Sequence, residues 1–92
     1  MDATKMTGVA LLKLPEVCRR RAQRPTGVYA DVKRERLTPP IKLTTRSSAW
    51  PEHEVDAVAS ALIAGASDDE IRALVRKLVS ARPAMMPTIE AA

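Results

Sequence analysis

Proline punctuates this chain of 92 residues more sharply than any other residue type, standing at positions 15, 25, 39, 40, 51, 83 and 87. Proline has no backbone N–H and a fixed φ, so it suits the first turn of a helix and is excluded from helix interiors. Helices must therefore be short and must begin or stop at these positions. Pro15 followed by Glu16 opens a helix expected over about 15–22, with the carboxylate at the positive end of the helix dipole. In that helix Val17, Cys18 and Ala22 are expected to face a core, and Arg19, Arg20 and Arg21 the outside. Pro25 holds Arg24 extended and starts a second helix, 25–34, whose apolar set is Val28, Val32 and the ring of Tyr29. Two short helices so close together suggest a helix-turn-helix.

Helical spacing stops at Pro39 and Pro40, where Ile41 and Leu43 alternate with Lys42 as in a strand. Thr44 to Ser48 read as a polar connection, with Ala49 and Trp50 returning as the second strand of a hairpin that must lean on the helices. Pro51 and Glu52 open a third helix with apolar residues at Val55, Val58, Ala59, Leu62 and Ile63, closed by Gly65. Ser67 and Glu70 form a capping box for a fourth helix with a stripe of Ile71, Leu74, Val75, Leu78 and Val79. Arg76, Lys77 and Arg82 complement its C-terminal end and Pro83 stops it. Ahead of these elements Leu12 and Leu14 flank Lys13 in a short extended segment. The fold class is thus mainly α with a small β-hairpin: a winged helix-turn-helix over 11–66, an amphipathic C-terminal helix over 67–82, and tails at 1–10 and 83–92.

With one cysteine, Cys18, and one histidine, His53, neither an intramolecular disulfide nor a four-ligand zinc site can form. The run Asp68, Asp69, Glu70 is accounted for by helix capping, and no catalytic constellation remains, so no enzyme activity, metal or cofactor is expected. The short apolar run from Gly8 to Leu12 does not read as a signal peptide, and charges interrupt every candidate span. A soluble, cytoplasmic protein is expected.

Charge divides the chain at Trp50. Residues 1–50 carry eleven Lys or Arg against four Asp or Glu, a net +7, whereas residues 51–92 carry four against seven, a net −3. A basic segment of this kind is the electrostatic footprint of a polyanion partner. In a helix-turn-helix the second helix enters the major groove, which puts Arg24, Thr26, Tyr29, Ala30 and Lys33 on or beside the reading surface. Arg24 suits a bidentate contact to guanine, Thr26 a phosphate or a base edge, and Lys33 a phosphate; Arg34 follows at the helix end. Tyr29 has two readings, a ring closing the small core or a phosphate contact through its hydroxyl. At the hairpin tip Arg46 lies among Thr45, Ser47 and Ser48, either a contact to a minor groove or phosphate or an ordinary solvated turn, with Lys42 pointing outward beside it. Trp50 is expected in the core, and two aromatics in all argue against single-strand binding by stacking.

Residues 11–58 resemble the AlpA and excisionase family of small winged-helix proteins. The resemblance is carried without a gap by LPEV at 14–17, the segment Tyr29 to Lys33, TPPIKL at 38–43, Arg46 through Trp50, and EV at 54–55. The segment SALIAGASDDEIRALVRKL at 60–78 resembles the C-terminal extension of a branch of that family carried on integrative elements and prophages. The chain departs from the family pattern in the turn, with Ala22 and Gln23 where glycine and leucine are common and Arg24 at the usual serine cap. It also has Gly27 and Ala30 at recognition-helix positions. The resemblance implies a double-stranded DNA-binding protein of the nucleoid. It would be a recombination directionality factor that binds repeated sites cooperatively, bends DNA and assists an integrase, or else a transcriptional regulator. It implies a recognition helix at 25–34 and a wing at 42–48. From the residues alone, a protein-interaction module built on the third and fourth helices, such as an antitoxin or phage adaptor, is the reading from another class. The fourth helix also leaves open self-association.

Overall fold

Four helices and a three-stranded antiparallel sheet make up residues 10–83, the part of the chain that the computed structural model describes. The expected tails fall outside it, apart from Ala10 and Pro83. In chain order the elements are β1 (Leu11–Leu12), α1 (Leu14–Arg21), α2 (Pro25–Lys33), β2 (Ile41–Thr44), β3 (Ser47–Pro51), α3 (Glu52–Ile63) and α4 (Asp68–Ser80). Strand β3 is central, pairing Leu12 with Trp50 on one side and Ile41 with Ala49 on the other. Leu14, expected in the extended segment, is the first residue of α1, so Pro15 stands second in that helix.

Three of the four helices end in the same way. The N–H of Gln23 donates to Cys18 and that of Ala22 to Arg19; Arg36 and Glu35 repeat the pair on Asp31 and Val32, and Ala66 and Gly65 on Ala61 and Leu62. This double bond to the last turn is the Schellman motif, which needs a left-handed residue. Ala22 (φ 54°), Glu35 (φ 61°) and Gly65 (φ 86°) supply it. Ala22 is therefore an exposed helix terminator and not the core residue expected from its spacing. The N-terminus of α4 has the full capping box, Ser67 Oγ accepting from Glu70 N and Glu70 Oε1 from Ser67 N.

The core draws on every element except β2: Leu12, Val17, Val28, Leu37, Trp50, Val55, Val58, Ile71 and Val75. Trp50 is fully buried, as expected, and its indole N–H donates to the carbonyl of Thr38 at 2.8 Å. Four expected placements are corrected. Leu62 and Ile63 are exposed, at 38% and 87%, because the inward stripe of α3 is rotated toward Glu54, Val55, Val58 and Ala61. Glu54 can take such a position because Arg82, expected to serve the end of α4, instead pairs with it. Arg21, expected outside with Arg19 and Arg20, is turned inward with only 4% of its side chain exposed and pairs with Asp31 of α2 at 2.7 Å.

The hairpin is tighter than the sequence implies. Ser47 and Ser48 belong to β3 and not to the connection, which shrinks to Thr45 and Arg46. The ladder slips by one residue between Lys42 and Thr44, a bulge that takes Leu43 out of register and leaves it 45% exposed instead of alternating inward with Ile41.

Candidate nucleic-acid interface

Helix α2 presents two chemically distinct faces. Val28, Asp31 and Val32 turn toward α1 and the core, while Thr26, Tyr29, Ala30 and Lys33, spaced i, i+3, i+4 and i+7, share the opposite face. Arg24 is its extended N-cap and Arg34 its C-cap, both exposed. Tyr29 is 47% exposed and packs its ring 6.0 Å from that of Trp50, tilted by 50°. Its two expected roles are thus compatible, since one side of the ring covers the core and the rest faces outward.

The hairpin supplies the remaining candidates. Lys42, Thr45 and Arg46 are exposed and Ser47 half-buried, and the backbone N–H of Arg46 donates to Thr44 Oγ1 at 3.2 Å, which fixes the two-residue turn. Between this hairpin, the start of α1 and Tyr29 lies an open cleft of about 470 Å³. It brings Tyr29, Arg46 and Ser47 together with a cation the sequence reading did not single out, Lys13, whose Nζ donates to Ser47 Oγ at 2.5 Å. Its only sequence signal is a cation at an N-cap position where Ser, Thr, Asp or Asn would be usual. Arg24, Thr26, Lys33, Arg34, Lys42 and Thr45 lie outside this cleft.

Ion pairing separates the basic residues into two sets. Arg19 and Arg20 hold Glu16, Arg20 also reaches Glu52 and Asp56, and Arg21 and Arg36 share Asp31, with Arg36 also on Asp68. Hydrogen bonds from Arg19 and Arg20 lower the Glu16 carboxyl to about 2. Burial alone would raise the Asp31 carboxyl, but hydrogen bonds from Gln23 and Arg21 and the charges of Arg21 and Arg36 outweigh it and hold it below its ordinary value. Among the described residues Lys13, Arg24, Lys33, Arg34, Lys42, Arg46 and Lys77 have no carboxylate partner. All but Lys77, in the last turn of α4, lie on α2, at its ends, on the hairpin or in the cleft between them.

Among the described residues no group of His, Cys, Asp and Glu is placed to hold a metal ion, and no helix is long and apolar enough to cross a membrane. Compared with known protein families, curated proteins and solved structures, the chain matches none.

Proposed function

We propose that this is a winged helix-turn-helix protein that binds double-stranded DNA, with α1 and α2 as the helix pair, α2 as the reader in the major groove and the β2–β3 hairpin as the wing. The observation that carries the reading is the segregation of charge by pairing. Arginines on the inward and lateral sides are neutralised by carboxylates, whereas six of the seven cations without a carboxylate partner among the described residues lie on the α2 and hairpin surface, the seventh being Lys77 on α4. A cation without a carboxylate partner is free to neutralise a phosphate and so release the counterions condensed on the DNA, which supplies much of the affinity for a duplex. In this reading Arg24 and Thr26 approach base edges, and Tyr29, Lys33, Arg34, Lys42, Thr45, Arg46 and Ser47 touch the backbone or the adjacent groove.

Together with the family resemblance, this surface supports an architectural role without enzymatic activity. Copies bound at neighbouring sites would self-associate, bend the duplex and promote excision by an integrase; an AlpA-type transcriptional role would use the same surface. Titration of a fluorescent duplex over a series of salt concentrations tests the reading. If five or six phosphates are neutralised, log K falls against log salt with a slope of about −5. A flat dependence, or full binding by the Arg24→Ala, Arg46→Ala double variant, refutes it and leaves a protein-interaction module.

A further inference from the structure

We infer that the cleft between the start of α1, Tyr29 and the hairpin seats one sugar–phosphate unit of the DNA backbone, with Lys13 as the phosphate-holding residue and an apolar wall against the deoxyribose. The inference rests on the duplex-binding reading and names what this one part of the surface takes.

Two cations, Lys13 and Arg46, and three hydroxyl side chains, Tyr29, Ser47 and Ser48, line the cleft, and no carboxylate does. The nearest acid along the chain, Glu16, is turned away onto Arg19 and Arg20 at 2.5 to 3.0 Å. The lining therefore carries a net positive charge with nothing in it to repel an anion. An ammonium group has three donors, and Lys13 uses one on Ser47 Oγ, which leaves two for phosphate oxygens. The same bond fixes the Lys13 ammonium beside the wing. The Ser47 hydroxyl, as acceptor from Lys13, keeps its own proton to donate.

The rest of the lining decides between a bare anion, a base and a sugar–phosphate. Leu14 and Pro15 form one wall, and Pro15 has no N–H to offer. A free inorganic anion would leave that wall uncovered. A stacked base would have only the outward part of the Tyr29 ring to lie on, since Trp50 is fully buried and the inner side of Tyr29 packs on it, and it would leave the Leu14 and Pro15 wall uncovered. An apolar wall beside a cationic, hydroxyl-lined corner fits a sugar ring with its phosphate attached.

The test uses the full chain and a mixed-sequence duplex. Lys13→Gln keeps a side-chain donor for Ser47 and removes the charge. It is expected to weaken binding alike on all duplexes and to reduce the log K against log salt slope by about 0.9, one phosphate's worth. Ser47→Ala breaks the Lys13 bond without removing charge and is expected to keep the wild-type slope. On a duplex selected by the wild-type protein, one backbone position at which a neutral methylphosphonate impairs the wild type is expected to become silent in Lys13→Gln. A Lys13→Gln variant with the thermal unfolding, salt slope and methylphosphonate pattern of the wild type overturns the inference while duplex binding stands. A wild-type protein that binds no duplex overturns both.

Discussion

Arg82 donates through Nε and Nη2 to the two carboxylate oxygens of Glu54 at 2.8 and 2.6 Å, and Glu54 has no exposure to solvent. The same Nη2 donates to the carbonyl of Pro39 at 2.8 Å, so one guanidinium beyond the end of α4 clasps α3 to the segment that leads into the hairpin. Truncating one partner of a buried pair leaves the other charge uncompensated, typically at 3–5 kcal/mol. The Arg82 side chain is 21% exposed, which lets water reach the carboxylate. Arg82→Ala is therefore expected to lose about 2–3 kcal/mol in urea unfolding, below the fully buried case. Combining it with Glu54→Leu is expected to recover most of that loss. An Arg82→Ala protein as stable as the parent would show that the clasp contributes nothing.

The shared helix terminator makes two substitutions opposite in sign. Ala22 adopts φ 54° where glycine is at ease, and its side chain is exposed, so Ala22→Gly is expected to stabilise by about 0.5–1 kcal/mol. Gly65 has φ 86° and nothing within 4 Å of the position a Cβ would occupy. Gly65→Ala is thus a pure backbone penalty, expected at about 1 kcal/mol. Thermal unfolding of both variants checks the pair, and the same sign for both would refute the shared motif.

The sequence makes the helix starts legible and conceals which charges turn inward. Pro25, Pro51 and the Ser67/Glu70 box mark the starts of α2, α3 and α4 because proline and capping chemistry act within one turn. Ala22 is not marked as a terminator by its own residue type, since its left-handed geometry follows from the bonds at Gln23 and Ala22 and not from any preference of alanine; only the resemblance, with glycine common at that position, points to the turn. Arg21 and Asp31, ten residues apart in the chain, are buried together because α1 and α2 meet there; Glu54 waits on Arg82, 28 residues away. Such long-range pairs rotate a helix face without leaving a period in the sequence, which is why Leu62 and Ile63 read as core and are exposed. The candidate interface was more legible because it depends on local exposure. Lys13 is not marked by the sequence in this way, because only the folded hairpin brings Ser47 to it.

Acid should unfold this protein through its paired carboxylates. Glu16 is lowered from 4.5 to about 2, and Asp31 and Glu35 are also lowered, Glu35 by the hydrogen bond and charge of Arg76. A carboxyl that is more acidic in the folded state contributes stability above its unfolded value, and that contribution is lost as the pH falls through the folded one. The melting temperature is expected to stay level near neutrality and to drop between about pH 4.5 and 2. Asp31→Asn should lower stability at neutral pH, since it removes the partner of Arg21, and should make the acid drop shallower. An acid limb unchanged in Asp31→Asn would exclude that residue as a contributor.

Removing one positive charge should have unequal effects on duplex binding according to whether that charge has a partner. Arg24 is exposed and has no ion pair among the described residues, whereas Arg19, 72% exposed, is held by Glu16. Arg24→Ala is expected to cost about 1–3 kcal/mol of binding and to relax preference among duplex sequences, as loss of a base-edge contact does. Lys33→Ala should weaken all sequences alike and reduce the salt slope by about 0.9. Arg19→Ala removes the same formal charge but frees a carboxylate that Arg20 still holds at 2.9 Å, so its effect is expected to be the smallest of the three. Competition titrations with several duplexes at two salt concentrations separate these outcomes. Equal losses in all three variants would mean that net charge alone drives binding, and the proposal that α2 is the reading helix would fall.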